Sequence, residues 1–213
     1  MPEFDEKNAT ADELWDWCMM EYQSRNPVAK HLLDHFFKKI HHALQTVPGD
    51  QTFLEIGCGA GESSRRIYEM IAPRHFEVSE YDERYVRKLK ETGFPLKVIQ
   101  ESVYALDRAD ASFDCVIMLE VLEHLKDYEL ALNEIFRVAR RHVLISVPNE
   151  PLWRLLNLVR GRYLSAGGNT PGHVNHWSVP RFTKLIARFG RVQKIYTPLP
   201  WIIVLAEVNE KES

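Results

Sequence analysis

Residues 52–64, TFLEIGCGAGESS, pass from a short apolar run straight into three glycines, Gly57, Gly59 and Gly61, after which Ile67, Met70 and Ile71 fall at helical spacing. No other stretch constrains the fold as much. Glycine lets the backbone turn tightly and approach a ligand, and the helix start that follows offers unpaired amides. In an open α/β sheet a ligand sits there, beyond the carboxyl end of a strand. The turn is not the dinucleotide fingerprint G-x-G-x-x-G, because its third glycine comes one residue early. Nor is it a phosphate loop, because no Gly-Lys-Ser/Thr follows. Spacing alone leaves a plain strand-to-helix turn open.

The rest of the chain alternates in the same way, which predicts a sheet with helices on both faces. Residues 11–46 read as two helices broken near Arg25 to Pro27, the second with Leu32, Leu33, Phe36, Phe37, Ile40 and Leu44 at helical spacing. Strands are predicted near 75–79, 96–99, 113–118 and 142–147, with helices over 82–91 and from Asp127, which is expected to cap its helix. Ser178 is expected to cap a further helix that Gly190 ends, and a last strand pair covers 191–197 and 201–208.

A length of 213 residues fits one domain. With 45% hydrophobic and 27% charged residues and a formal net charge of −3, the chain lacks the basic excess of a general nucleic-acid binder. Cys18, Cys58 and Cys115 are too few and too scattered for a disulfide framework. The start MPEFDEKNATADELWDW is acidic where a signal peptide is basic and then apolar, and no segment has the roughly 18 apolar residues of a membrane span. A cytoplasmic protein is the expectation.

LEIGCGAGE resembles the first motif of the class I S-adenosylmethionine-dependent methyltransferases, and the resemblance runs from about residue 27 to the end. It implies an α/β fold: a single-domain, Rossmann-like, seven-stranded methyltransferase sheet. A helical cap would cover residues 1–46, and the methyltransferase domain 47–213 would carry a lid insertion over about 150–177. The implied cofactor is S-adenosylmethionine, with Glu55, Gly57, Cys58, Gly59 and Gly61 as contacts for its methionine part. The family's second motif, an acid that accepts both ribose hydroxyls, matches Glu80 in FEVSEYDERY, with Tyr81 as adenine neighbour. A carboxylate is suited to a vicinal diol, since it can accept two hydrogen bonds. Where the family often has an Asp near the adenine, ESVYAL has Ser102, followed by Val103, and Glu101 is an alternative source of the acid.

The fourth motif is resembled by FDCVIMLEVLEHLKD, which implies that Leu119 and Glu120 lie by the cofactor's sulfonium. Residues 121–125 look like one helical turn, bringing Glu123 and His124 to the same opening. Small-RNA 2'-O-methyltransferases and ubiquinone-pathway O-methyltransferases carry a similar E-x-x-E-H metal site completed by a later His. In GHVNHWSVPRF the counterpart is His173, four residues before Trp177. The resemblance thus implies Glu120, Glu123, His124 and His173 as ligands of a divalent metal, a donor set that suits Mg, Mn, Fe or Zn. Many metal-free relatives have a similar VLEHL segment, in which case Glu120, His124 and His173 bind substrate or act as a base.

The segment EPLWRLLNLVRGRYLSAGGNTPGHVNHW reads either as a helix packed on the body or as a lid. In the second reading Trp153, Leu155, Leu156, Leu158 and Val159 share an apolar face, and Arg154, Arg160 and Arg162 interrupt it. Such a lid would suit an amphipathic or anionic small-molecule acceptor and contact with a membrane surface. The expected activity is methyl transfer to a small-molecule acceptor, at oxygen. The alternatives are metal-dependent RNA 2'-O-methylation, which the net charge opposes, and a non-catalytic S-adenosylmethionine-binding module.

Overall fold

The computed structural model describes residues 8–47, 51–161 and 163–209. Two helices come first, α1 (Ala11–Tyr22) and α2 (Pro27–Leu44). The break between them is set by Asn26, whose side chain accepts from the Val28 and Ala29 amides, and by Pro27 in the first turn of α2. Phe36, Phe37, Ile40, Ala43 and Leu44 are the buried stripe of α2 and pack on the sheet.

Seven strands form one sheet: β1 (Thr52–Ile56), β2 (His75–Glu80), β3 (Lys97–Gln100), β4 (Phe113–Leu119), β5 (Ala139–Pro148), β6 (Gly190–Tyr196) and β7 (Trp201–Val208). Their order is β3-β2-β1-β4-β5-β7-β6. The first five strands run parallel, and β7 is antiparallel to both of its neighbours. The connecting helices are α3 (Glu62–Ile71), α4 (Glu83–Glu91), α5 (Tyr128–Val138), α6 (Glu150–Val159) and α7 (Val179–Ile186).

Both faces of the central strands are buried, which is why FDCVIML and VLISV read as continuous apolar runs. Val116, Met118, Val143 and Ile145 point into one core with Leu132 and Ile135 of α5 and Phe182 of α7. Cys115, Ile117 and Leu144 point into the other, with Phe36 and Ile40 of α2 and Ile67 of α3. The helix after β1 and the helix after β4 therefore leave on opposite faces, opening a crevice between the carboxyl ends of these two strands.

Two local expectations are corrected. Asp127 and Ser178 do occupy the N-cap positions of α5 and α7, but neither side chain makes a capping hydrogen bond. The fifth strand also begins at Ala139, directly from the last turn of α5, three residues before the apolar run that announces it.

Candidate active site at the carboxyl ends of β1 and β4

The glycine loop is held by its backbone. Gly57 and Cys58 donate their amides to the Ser79 carbonyl of β2 at 2.9 and 3.1 Å, and the Gly61 amide bonds to the Cys58 carbonyl at 2.8 Å. Gly57 has φ +75°, and a Cβ there would stand 2.5 Å from a Val121 methyl. Gly61 has φ +77° and would meet Phe94 at 2.6 Å. Only glycine fits either position.

Glu80 closes this loop. Its Oε2 accepts the Gly59 amide at 2.8 Å, and its Oε1 accepts the Tyr81 and Asp82 amides at 2.8 and 2.9 Å. Burial raises the carboxyl's pKa and these amides oppose the rise. A carboxylate has about four acceptor positions, so capacity remains at Oε2 for a ligand hydroxyl. Tyr81 beside it is largely exposed. Beneath the loop, buried Glu55 accepts the Ser63 hydroxyl at 2.7 Å, and desolvation pushes its carboxyl up to about 7. Cys58 is buried, and desolvation pushes its thiol up.

After β3, the Ser102 hydroxyl accepts the Tyr104 amide at 3.3 Å and Val103 is buried. Glu101 is engaged elsewhere, in an ion pair with Arg108 at 3.0 Å. Helix α1 lies over the loop, with Cys18 Sγ 3.3 Å from where a Gly59 Cβ would stand. It is tied to α4 by the Tyr85 hydroxyl, which donates to the Leu14 carbonyl at 3.1 Å, and by a Lys88–Asp12 ion pair.

The other end of the crevice is made of side chains. After Leu119, Glu120 takes the left-handed conformation with φ +57°. Its amide donates to the Ser146 carbonyl at 3.2 Å, while the Ser146 hydroxyl donates to Glu120 Oε1 at 2.7 Å. A non-glycine residue held so costs about 1–3 kcal/mol, and such strain collects at functional sites. Leu122–His124 then form a single 3-10 turn.

That turn and the segment before α7 bring Glu123, His124 and His173 together, each offering an atom within 4.8 Å of the others. The two imidazoles meet edge to face at 4.9 Å. Glu120 lines the same cavity and its charge reaches Glu123, its Oε1 takes the Ser146 hydroxyl, and it is not among the three side chains that come within 4.8 Å of one another. The Glu123 carboxyl is pushed far up by burial and then by Glu120 and Glu150, and its Oε2 has no partner among the described residues. His124 is held down to about 4, by desolvation first and His173 second, so its ring is neutral near pH 7.

Glu150 is a site residue that the sequence reading missed. It is 1% exposed, and its Oε1 lies 2.6 Å from His173 Nδ1, while its Oε2 is also unpaired among the described residues. Its place directly after β5 in VPNE was the available signal. The cavity in front of the cluster measures about 350 Å³ and includes Leu119, Glu120, Trp153, Asn157 and Tyr163.

Helix α6 presents a different face from the one its leucines suggest. Glu150, Trp153 and Asn157 are buried, whereas Leu155 and Val159 are 55% and 76% exposed. The reason is the site: the Trp153 indole N–H donates to Thr170 Oγ1 at 2.8 Å and the Asn157 amide to the Gly168 carbonyl at 3.0 Å. Polar groups on the loop that carries His173 thus select the packed face. Arg162 lies outside the described residues.

Fold and site together define a doubly wound α/β domain whose ligand crevice is the switch point between β1 and β4. Residues 54–147, somewhat under half of the chain, match the family model described as a methyltransferase domain. Two curated relatives from different Mycobacterium tuberculosis strains, each described as a probable S-adenosylmethionine-dependent methyltransferase, are 33% identical over 98 residues. That segment is 45% of this chain and 35% of each relative, so it spans about a third of their length. Among solved structures, a chain of the Haloferax volcanii complex with the Trm112 methyltransferase activator superposes with a TM-score of 0.68 at 13% identity, covering 92% of this chain and 98% of that one. A methyltransferase from Aquifex aeolicus gives 0.65 at 18%, covering 97% and 100%. These likenesses concern the fold.

Proposed function

We propose that the chain binds S-adenosylmethionine against the glycine loop and Glu80 and transfers its methyl group to an oxygen of a small-molecule acceptor beside Glu123, His124 and His173. The observation that carries this reading is the convergence of those three side chains on one cavity whose wall includes Leu119 and Glu120, at the end of β4. Three free thiols, two of them buried, support a cytoplasmic setting. No helix among the described residues is long and apolar enough to cross a membrane.

A divalent cation fits the cluster. The donor set is one carboxylate and two imidazoles without sulfur, and Glu123 Oε2 is a buried acceptor that a cation would complete. Glu150 Oε1 at His173 Nδ1 fixes the ring so that Nε2 remains a ligand atom, the usual support for a metal-binding imidazole. A bound cation supplies charge that lowers the pKa of an acceptor hydroxyl. The chain's own residues do the rest. Glu120, fixed by Ser146, shapes the wall beside the reacting centre, neutral His124 offers a ring nitrogen either to a cation or, where none is bound, to the acceptor's proton, and Trp153 and Asn157 of α6 form part of the cavity wall. Methyl transfer requires little beyond such positioning for in-line attack and removal of one proton.

Calorimetric titration with S-adenosylmethionine, followed by transfer of labelled methyl to a panel of catechols and hydroxy acids with and without Mn²⁺, tests the reading. Cofactor binding and cation-dependent transfer are expected. Absence of cofactor binding contradicts the reading, and binding without transfer to any acceptor class supports a non-catalytic module instead.

A further inference from the structure

Beside the active-site cavity is a second, partly open chamber of about 140 Å³, walled by Ala29, Leu32 and Leu33 of α2 and by Trp153 and Trp201. Met20, Trp153 and Arg160 line both spaces and form their common wall. Trp153 is fixed there by its bond to Thr170 and by packing on Trp201 at 5.9 Å between ring centres. Met20 and Arg160, in contrast, are exposed, and both are unbranched side chains that can swing aside.

The chemistry of the chamber selects its occupant. Ser24 and Arg160 are its polar side chains, and Ala29, Leu32, Leu33, Pro200 and Trp201 supply an apolar wall on which a hydrocarbon group can be buried. A void of roughly 150 Å³ is the size of a benzene-sized molecule, so this one has room for a ring or a short chain. At the shared wall Arg160 carries five donors, of which Nε alone is engaged among the described residues, on the Leu156 carbonyl at 3.2 Å. Such a guanidinium recognises a carboxylate or a similar anion.

We propose that this chamber is the tail subsite of the methyl acceptor. The acceptor is an amphipathic molecule with its oxygen at Glu123 and His124, an anionic group at Arg160 and an apolar ring or short chain against Leu33 and Trp201. The assignment of the reacting oxygen rests on the proposed methyl transfer, whereas occupation of the chamber can be read without turnover.

The test is a tryptophan-fluorescence titration of the full chain with benzoate, 4-propylbenzoate, 4-hexylbenzoate and 4-propylphenol, since Trp153 and Trp201 report directly on the chamber. Affinity is expected to rise at least tenfold from benzoate to 4-propylbenzoate. Ala29→Phe, which fills the chamber, should abolish that gain without changing S-adenosylmethionine affinity, and Leu33→Ala should move the optimum toward the hexyl compound. Arg160→Gln should weaken 4-propylbenzoate at least fivefold and leave 4-propylphenol unaffected. Equal affinity for benzoate and 4-propylbenzoate in the wild type overturns the proposal, as does a tail dependence that survives Ala29→Phe. If that variant fails to fold, an unchanged length optimum in Leu33→Ala overturns it. Calorimetry with S-adenosylmethionine on the same samples separates the two readings: a tail effect without cofactor binding removes the methyl-transfer reading and leaves the chamber as a ligand site.

Discussion

Glu80 and Glu123 lie at opposite ends of one crevice, both buried enough that desolvation raises their carboxyls, yet their surroundings push in opposite directions from there. Glu80 accepts three backbone amides. Glu123 faces two further carboxylates, Glu120 and Glu150, and leaves Oε2 unpaired among the described residues. At the proposed cofactor end Glu80 is therefore held by backbone amides before any ligand arrives, while Glu55 beneath the loop keeps one buried oxygen, Oε2, without a partner among the described residues. The proposed acceptor end gathers three carboxyls, an arrangement that a cation or a proton would complete. What separates Glu80 from Glu123 is the number of backbone amides that reach the carboxylate.

The strongest way to break this comparison is at the point where the two ends touch. In Gly57→Ala, the new methyl would lie 2.5 Å from Val121, at φ +75°. Overpacking and backbone strain together are expected to cost about 2–4 kcal/mol in thermal or urea unfolding. Val121→Ala in the same chain should recover the packing share but not the strain. A Gly57→Ala variant as stable as wild type would show that the loop is not held as described.

Glu55 sharpens the contrast from the cofactor end, as a buried carboxyl that involves no cation. Its pKa rises from an ordinary 4.5 to about 7 on folding, so the ionised form is disfavoured in the native state. The stability associated with this group is complete below pH 4.5, falls as pH rises and is lost above about 7. That difference amounts to roughly 3 kcal/mol. Melting curves from pH 4 to 8 should show the decline in wild type and a flatter profile for Glu55→Gln, which should be the more stable of the two at pH 8. An unaltered pH profile in the variant would rule this out.

The smallest expected effect concerns positioning at the acceptor end. Ser146→Ala removes the hydroxyl that holds Glu120 at 2.7 Å. One such bond contributes about 1 kcal/mol, so turnover should fall by less than about tenfold with cofactor affinity unchanged. A loss of cofactor affinity would move Glu120 from the acceptor end to the cofactor end.

How much of this was legible in the sequence follows the same division. The glycine loop and Glu80 are consecutive or one strand apart, and their spacing is enforced by backbone geometry, so TFLEIGCGAGE and FEVSE announce them. The strands were legible because burial on both faces leaves unbroken apolar runs such as VIML. Glu120 does line the cavity with Glu123 and His124, but with φ +57° it stands outside the 3-10 turn, so its position comes from the strand end and Ser146 and not from helical spacing. Glu150 meets His173 across 23 residues of chain, a pairing no local pattern encodes. The packed face of α6 departs from its leucine stripe for a related reason: Trp153 is buried as the apolar pattern implies, but the loop carrying His173 draws in Asn157 beside it.

The incomplete end is the central claim, and Mn²⁺ binding to the purified chain by calorimetry at pH 7.5, with S-adenosylmethionine present, tests it most directly. The account predicts one Mn²⁺ per chain, lost in Glu123→Gln and in His173→Ala but retained in Glu120→Gln. A wild-type chain that takes up no Mn²⁺, or a site that survives both Glu123→Gln and His173→Ala, would contradict it.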